Sequence, residues 1–282
     1  MEIRDFLLWV HILSGASPTV AVRVLRALAD GAAPTLTTFL ACVNTNMQHR
    51  LKQQFLSREW QDKLAVIAQA PHIVYTDDAY PERLRELAQP PLVLFYDGDV
   101  TLLKQPCLAI VGARQASAYS RRMIAVMMAD IPSDNVIVSG LARGADGFGH
   151  RAALGTDHAT IAVIASGTDV YYPKEHRALQ NKIAQKGLVL SEYPPGTPPA
   201  QYRFVARNRI IAGVCHALIV TEARRRSGSL ITAQMALESG RDVFALPNRL
   251  GEPLGEGTNE LINAGATPVL LGGEWQGLRY FD

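Results

Sequence analysis

A chain of 282 residues with 48% apolar content is long enough for a core-bearing domain of roughly 200 residues and a smaller companion. Its 28 Lys and Arg against 26 Asp and Glu leave a net charge of only +2, so a polyanion has to be attracted by local clusters of cations and not by the field of the whole molecule. Cys42, Cys107 and Cys215 are odd in number, far apart and without CxxC spacing, which gives no sign of a metal site or redox pair and reads as buried thiols.

The chain opens with MEIRDFLLWVHILSG, where acids and a histidine stand in place of the basic start and unbroken apolar core of a signal peptide. No run reaches the ~18 apolar residues of a membrane span, so a cytoplasmic protein without a membrane partner is expected. Leu7, Leu8, Val10, His11, Val20, Val24, Leu25 and Leu28 recur at helical spacing. Ser17-Pro18 fits an N-cap with proline at the first helical position, and Gly31 fits a stop. A further helical stretch is expected from Met47 to Gln69. Up to Tyr80 seven basic residues face seven acidic ones, so this part is not a basic clamp by composition. It fits either a SAM-like or helix-hairpin-helix module or a helical bundle that only packs.

From Ile73 the pattern changes, and the domain boundary is placed between Ala70 and Pro81, giving a helical domain at 1–75 and a second domain at 76–282. Strand-like runs occur at His72 to Thr76, Leu92 to Tyr96, Cys107 to Val111, Val136 to Val138 and Thr160 to Ile164. They continue at Leu188 to Leu190, Ala217 to Val220, Val243 to Leu246 and Pro268 to Leu271. Helical stretches lie between them, at Ser117 to Asp130, Ala145 to Leu154, His176 to Gln185, Leu230 to Ser239 and Asn259 to Ala264. Alternating strand and helix with near-continuous apolar strands predicts an α/β fold, a mostly parallel sheet with helices on both faces, preceded by the small all-α domain. Ligands of such sheets bind beyond the carboxyl ends of the strands, so the loops there carry the functional information.

Gly112-Ala113-Arg114 follows the third run and offers close backbone approach beside a planar phosphate fork. Gly140, Arg143 and Gly144 form a donor-rich turn before a helix that begins with Asp146 and carries His150 four residues on. That pair is read as a carboxylate and an imidazole tying down the loop, with a metal or catalytic pair as the alternative. Tyr171-Tyr172-Pro173-Lys174 supplies rings for stacking and a cation. Between Arg203 and Arg226 six arginines face one acid, Glu222; they surround Asn208 and precede Ser227-Gly228-Ser229, a candidate anion cradle at a helix start. Arg224 to Arg226 fit equally a solvated charged face. No GxGxxG and no P-loop occurs, and neither a metal nor a cofactor is expected.

These elements resemble the DNA-processing protein A family (DprA, also called Smf). The matching blocks include AIVGAR at 109–114, IVSGLARGAD at 137–146, AVIASGTDVYYP at 162–173, ARNRIIAG at 206–213, SGSLIT at 227–232 and GTNELINAGA at 257–266. The resemblance implies a Rossmann-like domain with no catalytic residue that binds single-stranded DNA, protects incoming strands and loads the RecA recombinase during natural transformation. The single-strand-binding protein is a further implied partner. Carried over, the DNA-binding residues are Gly112, Arg114, Gly140, Arg143, Gly144, Lys174, Arg203, Arg207, Asn208, Arg209, Ser227, Gly228 and Ser229. A homodimer is implied through Asn259, Ile262, Pro268 and Val269. The chain departs from the family at Val205, where proline is usual, and at Gln201, where some relatives have lysine. The competing class is a nucleotide-processing hydrolase resembling the phosphoribohydrolases. That class carries PGGxGTxxE, where this chain has Ser227 to Thr232 and an acid, Glu238, far down the helix.

Overall fold

In a computed structural model, which describes residues 1–270, the amino-terminal part is five helices: α1 (Ile3–Leu13), α2 (Pro18–Ala29), α3 (Leu36–Ala41), α4 (Thr45–Leu56) and α5 (Arg58–Ile67). Ser17 caps α2, its hydroxyl accepting from the Val20 N–H, and Gly31 lies just past its end at φ +88°. The helix expected from Met47 to Gln69 is two helices, because Ser57 turns extended (φ −70°, ψ 129°) and ends α4 while starting α5. The short helix α3, begun by Thr35, has no counterpart in the sequence reading.

The rest of the described chain alternates strand and helix. Its elements are β1 (His72–Val74), α6 (Glu82–Arg85), β2 (Val93–Gly98), β3 (Cys107–Val111), α7 (Ala118–Asp130), β4 (Val136–Ser139), α8 (Ala145–Gly155) and β5 (Thr160–Ile164). They continue with α9 (Arg177–Lys186), β6 (Leu188–Ser191), α10 (Gln201–Val214), β7 (Ala217–Val220), α11 (Gly228–Glu238), β8 (Asp242–Ala245), α12 (Glu256–Asn263) and β9 (Thr267–Pro268). The last run had been expected to reach Leu271, which lies outside the described residues.

The strands form one sheet in the order β1-β2-β6-β5-β4-β3-β7-β8-β9, parallel from β6 to β9 and antiparallel at β1 and β2. From β3 the chain winds outward through β4, β5 and β6, then crosses back to lay β7 on the other side of β3. This is the doubly wound, Rossmann-like arrangement, and the β3/β7 border is its topological switch point. Period-two alternation decides which face each residue serves. Leu108 and Ile110 of β3 pack with Ile124 and Met127 of α7, whereas Ala109 and Val111 share the core that contains Ile210 of α10 and Ala233 of α11.

The sheet starts at β1, and the helices α1 to α5 share a core with its edge. Val93 and Phe95 of β2 pack among Phe6, Leu7 and Val24, while Leu94 between them joins the α10 side. Two polar contacts also tie the helices to the sheet: Arg4 pairs with Asp77, and His11 meets the Glu192 carbonyl at 2.7 Å. A carbonyl only accepts, so His11 Nε2 carries a proton. Burial lowers the His11 pKa from 6.5 to about 4, opposed by that hydrogen bond and reinforced by Arg209 and His72.

The sign of the resulting pH dependence follows directly. Between pH 6.5 and about 4 the unfolded chain protonates His11 and the folded chain does not, so this contribution is full above 6.5 and lost as pH falls toward 4. His11→Gln keeps an N–H donor but does not titrate. In urea unfolding at pH 7.5 and pH 5, the stability gap between His11→Gln and the unsubstituted chain is expected to narrow at the lower pH; an equal gap at both would refute the assignment.

Candidate nucleic-acid interface

Beyond the carboxyl ends of β3, β4 and β7 lies an open cleft of about 530 Å³, walled by the loop after β3, the loop after β4, one side of α10 and the start of α11. A smaller hollow of about 60 Å³ adjoins it between Arg114, Gly140, Arg143, Tyr172 and Phe204. Both sit on the crevice side that the strand order singles out.

Arg207 forms the buried edge of this site. It is 5% exposed, and its Nη1 donates to the Val163 carbonyl at 2.8 Å. Its guanidinium lies flat against Gly140, where a β-carbon would sit 1.6 Å from Nη1, so glycine is required there for packing and not for a turn. Burial pulls the Arg207 pKa below the ordinary arginine range, opposed by Asp146 and reinforced by Arg114. Asp146 responds in the complementary way: burial raises its carboxyl, opposed by Arg207 and by the hydrogen bond from the Ala142 N–H.

Around that edge the loops are fixed by backbone contacts. Gly144 starts α8 at φ +71°, and a β-carbon there would strike the Ala113 carbonyl at 2.3 Å, so the loops after β3 and β4 touch only because it is glycine. The Ala145 N–H donates to the same carbonyl. Glu222, 2% exposed, accepts from the Ser117 N–H at 2.7 Å and its hydroxyl at 2.6 Å, clamping the turn before α7 onto the end of β7. Gly228 faces open space, and Ser227 gives α11 no side-chain cap, so the first N–H groups of α11 remain available to an anion at the cleft.

The cations divide into two groups. Arg114, Arg224 and Arg226 line the cleft, are exposed, and form no ion pair among the described residues. Arg114 instead lies over the Phe204 ring at 5.4 Å, and Phe204 is tilted against Tyr172 with centroids 5.2 Å apart. Arg143 also lines the cleft but pairs with Glu175, and Arg225 turns away to Glu256 and Glu260.

The sequence-derived residues are therefore only partly brought together. Gly112, Arg114, Arg143, Arg207, Asn208, Ser227, Gly228 and Ser229 line the cleft, Gly140 lines the small hollow, and Gly144 supports the loop behind them. Lys174 is exposed directly after Pro173, which lines the hollow, but is itself not part of either wall. Arg203 is directed elsewhere: it bonds the Pro198 carbonyl and stacks on Tyr193 and Tyr202.

Arg209 does not reach the cleft. Residues two apart on an α-helix point about 200° apart, so Arg207 and Arg209 leave opposite sides of α10. Arg209 is 8% exposed and forms a buried ion pair with Glu192, next to the His11 contact. Asp146 and His150 do share α8 but have separate partners: the His150 Nδ1 lies 2.8 Å from the Thr160 hydroxyl, and burial lowers its pKa to about 3. Of the residues assigned to a dimer interface, Val269 is buried in the chain's own core and Asn259 uses its side-chain amide on the Asn248 backbone. Ile262 and Pro268 are partly exposed.

Some site residues escaped the sequence reading. Glu222 counted there only as an opposing charge, although an acid at the end of a buried strand and beside a serine-led helix start is the pattern of a loop clamp. Phe204 gave no separate signal within its arginine-rich stretch. Glu238, weighed as a hydrolase acid, lies at the far end of α11 and accepts from Gln234, removed from the cleft by about 15 Å of helix.

Residues 71–274 match the model of the family described as DNA recombination-mediator protein A. The chain belongs to this family. DNA-processing and recombination proteins are its relatives. The recombination-mediator protein A member named DNA processing protein DprA in Streptococcus pneumoniae is 46% identical over 217 residues, 77% of this chain and 74% of that protein. Protein Smf of Escherichia coli is 39% identical over 232 residues, 80% of this chain but 62% of its own length. The solved structure of the pneumococcal protein superposes with a TM-score of 0.89 at 37% identity, covering 100% of this chain and 99% of that one. DNA processing protein A of Helicobacter pylori, whose structure is described for its single-stranded DNA binding mode, gives a TM-score of 0.65 at 31% identity over 75% of this chain and 96% of that one.

The position of Arg209 generates a stability prediction. Arg209→Ala leaves the Glu192 carboxylate buried without its partner, and is expected to cost about 3–5 kcal/mol in denaturant unfolding, against at most about 0.5 kcal/mol for the surface change Arg226→Ala. Equal midpoints for the two variants would exclude a buried structural pair.

Proposed function

We propose that the chain binds single-stranded DNA in the 530 Å³ cleft, without catalysing a reaction on it, and acts there as a recombination mediator. The observation that carries this reading is the trio of exposed arginines, Arg114, Arg224 and Arg226, which form no ion pair among the described residues and face an open cleft beside Phe204 and Tyr172. Phosphates of a strand meet the guanidinium forks and the free N–H groups of α11, and base faces meet the rings. Phosphate contacts carry little base information, so binding depends strongly on salt and weakly on sequence. The single-stranded DNA binding mode for which the Helicobacter pylori structure is described supports the choice of ligand.

Arg114→Ala is expected to weaken binding of a thymidine oligonucleotide and to reduce the slope of log affinity against log salt by about 0.7, the value for one phosphate contact on a single strand. Arg225→Ala, whose guanidinium is already paired with Glu256 and Glu260, is expected to leave both unchanged. Titration of a labelled oligonucleotide between 50 and 200 mM salt, roughly the range over which phosphate-dominated complexes weaken, decides it. An unaltered slope for Arg114→Ala sinks the reading.

The cellular role we propose is protection of incoming strands and loading of RecA in the cytoplasm during natural transformation, with a homodimer formed at α12 and β9. The family membership supports the role, and the partly exposed Ile262 and Pro268 beside the outer edge of the sheet support the place of the dimer. Sedimentation of Ile262→Glu is expected to give monomers that still bind the oligonucleotide. Addition of the unsubstituted chain is expected to speed RecA assembly on strands coated with single-strand-binding protein. Dimers in the first experiment, or no acceleration in the second, would remove that part of the proposal.

A further inference from the structure

A second open cleft, of about 570 Å³, lies beyond the ends of β7 and β8 and shares the wall residue Leu254 with the first. The same two loops run along both. The loop after β3 gives Gly112, Arg114 and Gln115 to the first cleft and ends at Ser117 in the second, and the loop after β7 gives Glu222 to the second and Arg224 to the first. The two clefts therefore adjoin at Leu254 and share two loops at the carboxyl edge of the sheet, beside the β3/β7 switch point.

The second cleft is lined by Arg122, on the second turn of α7, and by Arg249, on the loop after β8. Both are exposed, and neither guanidinium has an ion pair or a hydrogen bond among the described residues. The loop that presents Arg249 is anchored at both ends. The Asn259 side chain accepts from the Asn248 N–H at 3.0 Å and donates to the Asn248 carbonyl at 3.1 Å, and the Ala223 N–H donates to the Leu254 carbonyl at 2.7 Å. Tyr119 provides an aromatic wall, fixed by its hydroxyl to the Pro247 carbonyl at 2.6 Å.

Two acids also line this cleft. Glu222 is buried and commits both oxygens to Ser117, which leaves the exposed Glu252 as the carboxylate free to oppose the two arginines. An arrangement of two free guanidinium groups, one fixed ring and one opposing acid does not fit a high-charge nucleotide. It fits the singly charged, evenly spaced phosphates of a strand already held elsewhere.

We infer that the Arg122–Arg249 cleft is an extension of the strand-binding path, which takes the phosphodiester backbone of single-stranded DNA as it leaves the Arg114–Arg207 cleft past Leu254. This rests on the first cleft being the strand site, and it predicts a dependence on strand length that the first cleft alone does not. A short strand fills one cleft. A longer strand engages both.

The test compares the unsubstituted chain with Arg122→Ala/Arg249→Ala on thymidine oligonucleotides of about 5 and about 20 nucleotides, lengths chosen to bracket the usual site size of a single-strand groove. The double variant is expected to bind the short strand as before. On the long strand its affinity is expected to fall about tenfold and its salt slope by about 1.4, the amount for two phosphates. Glu252→Gln is expected to tighten the long strand and leave the short one unchanged. Unchanged long-strand affinity and slope in the double variant overturn the extension while leaving the first cleft intact. Equal weakening on both lengths also overturns it, since the two arginines would then belong to the first cleft. If the unsubstituted chain binds neither strand, the reading of the first cleft fails and the extension falls with it. Both substituted positions are exposed, so loss of the fold is not expected; unfolding midpoints within experimental scatter of the unsubstituted chain verify this.

Discussion

The buried guanidinium of Arg207 is the constraint around which the carboxyl edge of this sheet is arranged. A buried charge needs hydrogen bonds and a counter-charge, and this one takes the Val163 carbonyl at the end of β5 and the field of Asp146 at the start of α8. Two demands follow. Residue 140 has to lack a β-carbon so that the guanidinium can lie on the backbone, and α8 has to begin where Asp146 can serve, which the positive φ of Gly144 allows. The glycines of this loop make room for an arginine and for a neighbouring loop.

Arg207 also sets the electrostatics of the wall beside it. Its Nε has no hydrogen-bond partner among the described residues, and Arg114 disfavours the charge on Arg207. Two arginines held in mutual repulsion are stabilised together by an anion between them. Part of this cost is offset by the Phe204 ring under Arg114. A phosphate arriving at the cleft therefore meets cations already positioned by the fold, with less ordering left to do on binding.

Most of the fold was legible in the sequence because the parallel strands are covered on both faces and so read as short unbroken apolar runs, such as Cys107 to Val111 and Ala217 to Val220. What the runs do not encode is rotation and pairing. The tripeptide Arg207-Asn208-Arg209 looks like one cationic cluster in one dimension, but the helix turns by about 100° at each step, and only Arg207 and Asn208 face the cleft. Arg209 found its acid, Glu192, at the end of a strand 17 positions away in sequence, which no local pattern announces. Ser57 illustrates the same limit in the helical part. A polar residue inside a helical pattern is either a solvated position or a break, and only the packing of α4 and α5 decides between them.

Sorting the arginines by partner rather than by density explains how a chain with a net charge of +2 can present a strongly basic groove. Glu192, Glu175, Glu256, Glu260, Glu82 and Glu86 are matched to Arg209, Arg143, Arg225, Arg85 and Arg241 at positions that fix helices and loops. Arg114, Arg122, Arg224, Arg226 and Arg249, which line the clefts, have no ion pair among the described residues. Acids and bases thus nearly cancel in number but not in space, and a cluster of uncancelled arginines lies at the carboxyl ends of β3 and β7. At about 0.15 M salt a charge acts over about 8 Å, so a strand outside the groove meets a nearly neutral protein and a strand inside it meets unscreened guanidinium groups. Capture by such a surface depends on the strand fitting the groove. On the proposed reading, a single strand sets its bases against Phe204 and Tyr172 while its phosphates reach Arg114, which a duplex with its bases paired inward does not do.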